Sequence, residues 1–156
     1  MRADPGNKPC RTLEKPGTAP LPVKVELASV VIAGSPSRKI RHILLVEDHR
    51  DTAMIMRRLL ESRGYQVRIA DSVQTALQTA GEQRFDLLIS DIGLPDGNGL
   101  ELMRSIQKIQ PIKGVALTGF GRDDDVQKSR DAGFYAHITK PVNFNQLQAV
   151  IREVEL

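Results

Sequence analysis

Residues 87–103 read LLISDIGLPDGNGLELM, and this stretch decides the fold. It begins with a run too apolar for a surface strand, and Asp91 stands at the end of that run. Continuous apolar strands are typical of parallel sheets that helices cover on both faces. The following loop is rich in Gly and Pro, so it turns the chain and leaves little side-chain bulk beside the carboxylate. We therefore expect Asp91 to project from the tip of a buried strand.

Five strand–helix units repeat from Arg41 onward. Short apolar or β-branched runs predict the strands, which are residues 42–46, 65–70, 85–90, 114–118 and 135–139. Apolar residues at helical spacing predict a helix after each strand. The apolar half of the first helical wheel holds Ala53, Ile55, Met56, Leu59 and Leu60. Gly64 and Gly81 are the predicted ends of the first and second helices.

Five strand–helix pairs joined by short links predict an α/β fold with one parallel sheet and helices on both faces. Right-handed crossovers leave few topologies, and a flavodoxin-like, doubly wound (βα)5 sheet with strand order 2-1-3-4-5 fits five units. In such folds ligands bind beyond the carboxyl ends of the strands, at the topological switch point between strands 1 and 3.

The charge is unevenly distributed along the 156 residues. Residues 1–41 hold eight of the 22 Lys and Arg but three of the 19 Asp and Glu, a net charge of +5, which leaves −2 for residues 42–156. Six of the nine prolines also lie in residues 1–41. We interpret residues 1–40 as a flexible basic leader or linker and residues 41–156 as the folded domain.

Composition also limits the classes of function. The net positive charge of the chain comes from the leader, so we expect no direct binding of nucleic acid by the folded domain. Cys10 is the single cysteine, which excludes an intramolecular disulfide. No apolar run approaches the ~20 residues that a membrane-spanning helix needs, and no secretory signal precedes the domain. We therefore expect a cytoplasmic protein without membrane insertion.

Polar side chains collect at the carboxyl ends of the predicted strands. Strand 1 is followed by Glu47 and Asp48, strand 3 by Asp91, strand 4 ends in Thr118, and strand 5 is followed by Lys140. Three carboxylates at one edge repel each other, because two unit charges ~4 Å apart cost roughly 4 kcal/mol at an effective dielectric of 20. One lysine cannot balance them, whereas a divalent ion can. Oxygen ligands alone favour Mg²⁺.

A magnesium site beside a carboxylate favours phosphoryl chemistry. Asp91 is then the candidate nucleophile, which would form an aspartyl phosphate. Thr118 and Lys140 are candidates to contact phosphoryl oxygens. Gly93 lies two residues past the nucleophile, where its backbone carbonyl can face the ion.

The motifs LLVEDHRD, LLISDIGLPDGNGLEL, VALTGFG and HITKPVNFNQL resemble the receiver domains of two-component response regulators over residues 41–155. The resemblance implies that Asp91 accepts a phosphoryl group from a phosphohistidine on a histidine kinase or phosphotransfer protein. It also implies that Glu47 and Asp48 help to hold Mg²⁺, with Asp48 and Asp91 as direct ligands, and that Thr118 and Lys140 sense the phosphoryl group.

The resemblance makes further predictions in the last strand and loop. The bond between Lys140 and Pro141 is expected to be cis. The switch position three residues before the lysine, often aromatic in the family, holds His137. Gly119 stands where the family often has alanine. The partner-binding face that phosphorylation switches also allows a homodimer.

Several alternatives remain open at this point. A magnesium-dependent phosphohydrolase also forms an aspartyl phosphate, although such enzymes usually need a second aspartate where Gly93 stands. A phosphorylation-independent interaction module is another alternative. The chain ends just after the last predicted helix, which is expected for a stand-alone receiver or for the C-terminal receiver of a hybrid histidine kinase. We expect no substrate turnover beyond self-phosphorylation and dephosphorylation, and no kinase motif is present.

Overall fold

The computed structural model describes residues 39–119 and 123–156, and for residues 123 and 124 it describes the backbone only. The leader predicted for residues 1–40 therefore lies almost entirely outside the described residues. Ile40, the last residue assigned to the leader, is 6 % exposed and belongs to the core. Its amide donates a hydrogen bond to Glu155 Oε1 at 3.0 Å.

Strands and helices alternate through the described residues. In chain order they are β1 (His42–Val46), α1 (Arg50–Glu61), β2 (Gln66–Ala70), α2 (Val73–Glu82), β3 (Leu87–Asp91), α3 (Gly99–Ile109), β4 (Lys113–Thr118), α4 (Asp123–Asp131), β5 (Ala136–Thr139) and α5 (Phe144–Glu155). Two further strands of two residues each, Gly93–Leu94 and Gly97–Asn98, pair with each other in antiparallel fashion in the loop after β3.

The main sheet is parallel, and its strands lie in the order β2-β1-β3-β4-β5. This confirms the predicted flavodoxin-like α/β topology. The order places β1 and β3 side by side at the centre, so the residues that follow these two strands lie at the same edge of the sheet. In the same register Asp91 pairs with Leu117 on β4, and Thr118 pairs with Thr139 on β5.

Both faces of the sheet are covered, because successive side chains of a strand point to opposite faces. In β1, Ile43 and Leu45 join the core cluster formed with α1 and α5. Leu44 and Val46 join the second cluster, formed with α2 and α3. All residues of β3 are buried, which explains the unbroken apolar run in the sequence.

Helix α1 differs in one respect from the helical-wheel prediction. Ala53, Met56 and Leu60 are buried, but Ile55 and Leu59 are 60 % and 40 % exposed. The buried stripe of this helix is thus narrower than its apolar face. Gly64 follows the helix with a φ of 95°, as expected for a C-terminal glycine. Gly81, by contrast, lies inside α2 rather than closing it.

The loop between β3 and α3 is held close to the strand end by Gly99. The Gly99 amide donates to the carbonyl of Ile92 at 2.8 Å. A Cβ atom at Gly99 would lie 2.3 Å from the backbone oxygen of Asp91. Glycine is therefore required here by the close approach of two backbones, and this approach sets the position of the loop beside Asp91.

Candidate functional site

The carboxyl edge of the sheet brings together side chains from four separate segments. Glu47 directly follows β1, and Asp91 is the last residue of β3. Thr118 is the last residue of β4, and Lys140 directly follows β5. Parallel strands in register end at one edge, so residues 93 positions apart in sequence come into direct contact.

Lys140 joins two of the carboxylates. Its ammonium nitrogen lies 2.7 Å from Asp91 Oδ2 and 3.0 Å from Glu47 Oε2. Glu47 is 1 % exposed and Asp91 is 7 % exposed. Because both carboxylates are nearly removed from water, a charge-assisted hydrogen bond from the lysine is needed to stabilise them.

The contacts hold Glu47 and Lys140 in their charged forms. Burial alone raises the pKa of Glu47, but hydrogen bonds from Lys140 and from the amide and ring of His49 outweigh it, so the pKa lies below its ordinary value. Burial has the opposite effect on a lysine and lowers the pKa of Lys140. The hydrogen bonds to Asp91 and Glu47 outweigh burial, so the pKa of Lys140 lies above its ordinary value. The pair is therefore an ion pair at neutral pH.

A second group of possible ligand atoms lies on the other side of Glu47. One ligand atom each from Glu47, Asp48 and His49 lie within 4.8 Å of one another. His49 Nδ1 is 3.1 Å from Glu47 Oε1 and 3.3 Å from Asp48 Oδ1. The hydrogen bond to Glu47 and the charge of Asp48 raise the pKa of His49.

A surface pocket of ≈ 380 Å³ opens over Asp91. Gly93, Thr118 and Lys140 are among its lining residues, together with Lys128 from α4. Thr118 Oγ1 is buried and has no hydrogen-bond partner among the described residues. A buried hydroxyl without a partner costs free energy. It is therefore a donor that a ligand in this pocket could satisfy.

Of the other predicted site residues, Gly93 and Gly119 line this pocket, whereas Glu47 and Asp48 line a different pocket together with Asp71 and Thr75. The Gly93 amide donates to Asp91 Oδ1 at 3.3 Å. No described heavy atom lies within 4 Å of a Cβ placed at Gly93 or Gly119, so both positions leave open space. The Lys140–Pro141 bond is cis, the isomer predicted from the sequence. His137 is half-buried within β5, opposite Ala116 of β4.

The residues present fit a divalent cation. Glu47, Asp48 and Asp91 supply carboxylate oxygens, which are the ligands of hard divalent ions. Among the described residues, ligand atoms of Glu47 and Asp48 lie within 4.8 Å of each other, and Asp91 does not belong to that group. Lys140 contacts two of these three groups, and Asp125 and Lys128, which also line the pocket over Asp91, add one charge of each sign. This excess of negative charge and the free Thr118 hydroxyl both favour a cation with an anionic ligand.

Two features were not predicted from the sequence. The first is the contact of His49 with both carboxylates, for which the adjacency of His49 to Glu47 and Asp48 was the available signal. The second is the close approach of Gly99 to Asp91, for which the Gly-rich loop gave a general signal but no position. Lys140 contacts the carboxylates of Glu47 and Asp91, and its predicted contact with phosphoryl oxygens stays a prediction.

Comparisons with known proteins agree with this architecture. The sequence model of the response regulator receiver domain matches residues 43–152. The KDP operon transcriptional regulatory protein KdpE of Escherichia coli is 32% identical over 111 residues, which are 71% of this chain and 49% of that protein. The virulence sensor protein BvgS of Bordetella bronchiseptica is 33% identical over 119 residues, covering 71% of this chain and 10% of BvgS. The chain thus spans half or less of these two relatives.

Solved structures extend the similarity to three dimensions. A CheY-like receiver domain protein from Methanospirillum hungatei has a TM-score of 0.67 and 31% identity, and the match covers 75% of this chain and 98% of that one. A response regulator from Burkholderia pseudomallei, solved with a phosphorylated aspartic acid, a calcium ion and citrate, has a TM-score of 0.67 and 28% identity, with coverage of 74% and 71%.

In the described part of this chain, no helix has the length and apolar character to cross a bilayer. The family match covers residues 43–152, well over half of the chain, and it includes every strand of the sheet and the acidic strand ends. The chain belongs to the receiver domain family of two-component response regulators.

Proposed function

We propose that Asp91 is the phosphoacceptor of this receiver domain. Its phosphoryl donor is a phosphohistidine of a histidine kinase or a histidine phosphotransfer protein. The observation that carries the proposal is the environment of Asp91. Its carboxylate is bound by Lys140 at 2.7 Å and lines a pocket with the Thr118 hydroxyl, which has no hydrogen-bond partner among the described residues. A carboxylate, an ammonium group and a free hydroxyl around one pocket are the groups that bind and accept a phosphoryl group.

The transfer follows from these positions. A carboxylate oxygen of Asp91 attacks phosphorus, the P–N bond of the phosphohistidine breaks, and the leaving imidazole nitrogen keeps the electron pair and takes up a proton from solvent. The product is an acyl phosphate. Lys140 then neutralises part of its negative charge, and the Thr118 hydroxyl donates to a phosphoryl oxygen.

We propose that Mg²⁺ is the divalent ion of this site. Glu47, Asp48, Asp91 and the backbone carbonyl of Gly93 would hold it. When bound, the ion supplies positive charge that neutralises the carboxylates and the incoming phosphoryl oxygens. The burial of Glu47 and its fixation by Lys140 support an indirect role for this carboxylate, with Asp48 and Asp91 as the direct ligands.

The switch is proposed to consist of Thr118 and His137. Movement of Thr118 toward a phosphoryl group opens space between β4 and β5, and His137 lies half-buried on the neighbouring strand. A rotation of the imidazole into that space would carry the phosphorylation state to the outer face of β5. This face is the proposed partner-binding and homodimer surface.

The remaining context is proposed from the similarities. The match to BvgS supports a place in a hybrid histidine kinase, and the match to KdpE supports a separate regulator. We place the protein in the cytoplasm, where phosphohistidine donors of this type act. The net charge of −2 on residues 42–156 supports a domain without direct nucleic-acid contacts.

The test is to locate the acyl phosphate. The protein is incubated with acetyl phosphate and Mg²⁺, and the acyl phosphate is reduced with borohydride, which converts an aspartyl phosphate into homoserine. Peptide mass analysis is expected to find homoserine at residue 91 alone. Homoserine at another carboxylate, or none at any, would contradict the assignment.

A second prediction concerns Thr118. Thr118→Val keeps the shape of the side chain and removes a buried hydroxyl that has no partner in the described part of the chain. The free energy of unfolding is therefore expected to stay the same or to rise by about 1 kcal/mol. The response to beryllofluoride with Mg²⁺, measured as amide shift changes in β5 by NMR, is expected to be largely lost.

The control for Thr118 is Thr139, its exposed partner in register on β5. Thr139→Val should leave the beryllofluoride response intact. A loss of stability well above 1 kcal/mol in Thr118→Val would show that the hydroxyl is satisfied in solution, and a preserved response would remove its role as a sensor.

A further inference from the structure

Neither helix capping nor core packing accounts for the position of the His49 side chain. It is the N-cap residue of α1, but its ring makes no capping hydrogen bond within the described helix. Its side chain is 73% exposed, so the ring contributes little to the core. The ring instead faces two carboxylates, Glu47 and Asp48, and all three residues are adjacent in sequence.

Two of the three ligand-atom distances in this group match those between neighbouring ligands of one metal ion, and the third is within 4.8 Å. Bonds of about 2.1 Å from a metal to nitrogen and oxygen place neighbouring ligand atoms about 3.0 Å apart in an octahedron and about 3.4 Å apart in a tetrahedron. His49 Nδ1 lies 3.1 Å from Glu47 Oε1 and 3.3 Å from Asp48 Oδ1. An ion that replaces the proton on Nδ1 can therefore bind all three residues with small adjustments.

The arrangement is also held in place on both sides. Glu47 Oε1 accepts the backbone amide of His49 at 3.1 Å, and Glu47 Oε2 accepts Lys140 at 3.0 Å. The His49 carbonyl accepts the amide of Ala53 at 2.9 Å in the first turn of α1. Groups that orient a ligand in this way raise its affinity for a metal.

We infer that His49 is a nitrogen ligand that gives the acidic site of this receiver a preference for a borderline transition-metal ion such as Ni²⁺ or Zn²⁺ over Mg²⁺. Oxygen-only sites suit Mg²⁺, whereas an imidazole nitrogen adds affinity for Zn²⁺, Cu²⁺, Fe²⁺ and Ni²⁺. Glu47 and Asp48 are shared with the proposed magnesium site, so the two ions compete. The inference rests on the proposed function in that it concerns the same acidic site.

The experiment compares the binding of Ni²⁺ and Mg²⁺ by the full chain in mildly alkaline buffer. All samples carry Cys10→Ser, so that a leader thiolate does not bind Ni²⁺. Calorimetric titrations are run for this parent protein, for His49→Gln, and for His42→Gln as the matched control. His42 is another histidine beside a carboxylate, Asp86 at 3.8 Å, and it is half-buried at the opposite end of β1.

His49→Gln is expected to weaken Ni²⁺ binding roughly tenfold or more and to leave Mg²⁺ binding unchanged. The Ni²⁺ form of the parent and of His42→Gln should show a hyperfine-shifted, exchangeable imidazole proton by NMR, and the His49→Gln form should lack it. The parent and His49→Gln could bind Ni²⁺ with equal affinity while Mg²⁺ still binds and Asp91 is still labelled. That outcome would overturn the proposed role of His49 and leave the proposed function standing. A parent that binds neither ion would overturn both this inference and the proposed magnesium site.

Discussion

Asp91→Asn is expected to abolish phosphoryl incorporation from acetyl phosphate. Asparagine has nearly the same shape as aspartate, but its amide is not a nucleophile at neutral pH, so no acyl phosphate forms. Intact-protein mass spectrometry after incubation with acetyl phosphate and Mg²⁺ should show the phosphorylated species for the wild type. The variant should show none above background.

The same substitution has an opposing pair of effects on stability. It removes the charge of Asp91, one of the two carboxylates that Lys140 contacts, which destabilises the fold. It also removes one of the carboxylates that repel each other at this edge, which stabilises it. We expect the two effects to offset each other to within about 1 kcal/mol in the absence of metal, because hydrogen bonds and repulsions of this kind are each worth roughly 1–3 kcal/mol.

The effect of Mg²⁺ on the melting temperature distinguishes a loss of the metal site in Asp91→Asn from a general loss of stability. An ion that binds only the folded state raises the melting temperature according to its concentration relative to its Kd. Mg²⁺ should therefore stabilise the wild type more than Asp91→Asn, which has one ligand charge fewer. Asp71→Asn is the matched control, since Asp71 directly follows β2 at the same edge but contacts Thr75 rather than Lys140. Continued labelling of Asp91→Asn would place the phosphoacceptor elsewhere.

The topology could be predicted because the physical signal is local and repeated. The inner strands of a covered parallel sheet must be apolar on both faces, and β1 was predicted with the bounds His42–Val46 that it has in the structure. The third strand shows the limit of the same signal. Phe85 was included in it because it is apolar, yet it lies before β3, buried in a loop where its amide donates to Gln110 Oε1 at 2.8 Å. Burial therefore does not distinguish a strand residue from a buried loop residue.

Helix faces illustrate a different limit. The apolar residues of α1 gave its inward direction correctly but not the width of the buried stripe, which depends on the elements that pack against the helix. Ile55 and Leu59 are exposed although they lie on the apolar half of the wheel. A helical wheel carries no information about the neighbouring helix, so such residues cannot be assigned from sequence alone.

The candidate site was accessible to prediction for a topological reason. Strand ends of a parallel sheet meet at one edge, so residues placed at strand ends must be neighbours whatever their separation in sequence. The side-chain contacts among these residues could not be predicted from the sequence. The bridge from Lys140 to both Glu47 and Asp91, and the turn of His49 toward Glu47, depend on side-chain rotamers and backbone geometry that no spacing rule encodes.

Gly99→Ala is expected to impair both stability and phosphorylation, because it forces apart two backbone segments. The new Cβ would lie 2.3 Å from the carbonyl oxygen of Asp91 and 2.9 Å from the Cα of Ile92. Backbone atoms cannot rotate away as a side chain can, so the loop after β3 has to shift by several tenths of an ångström. Overpacking of this kind costs typically about 1–3 kcal/mol of unfolding free energy, which urea denaturation would measure.

The shift acts directly on the phosphoacceptor, since the clash is with the backbone of Asp91 itself. A misplacement of about 1 Å in a reacting group can slow a reaction roughly 100-fold, so we expect the labelling rate with acetyl phosphate to fall by about 10- to 100-fold. Gly81→Ala is the matched control. Gly81 lies inside α2 with no described heavy atom within 4 Å of its added Cβ, so alanine there should stabilise the helix by about 0.5–1 kcal/mol and leave labelling unchanged. If Gly99→Ala matched Gly81→Ala in both measurements, the close approach of α3 would not determine the position of Asp91.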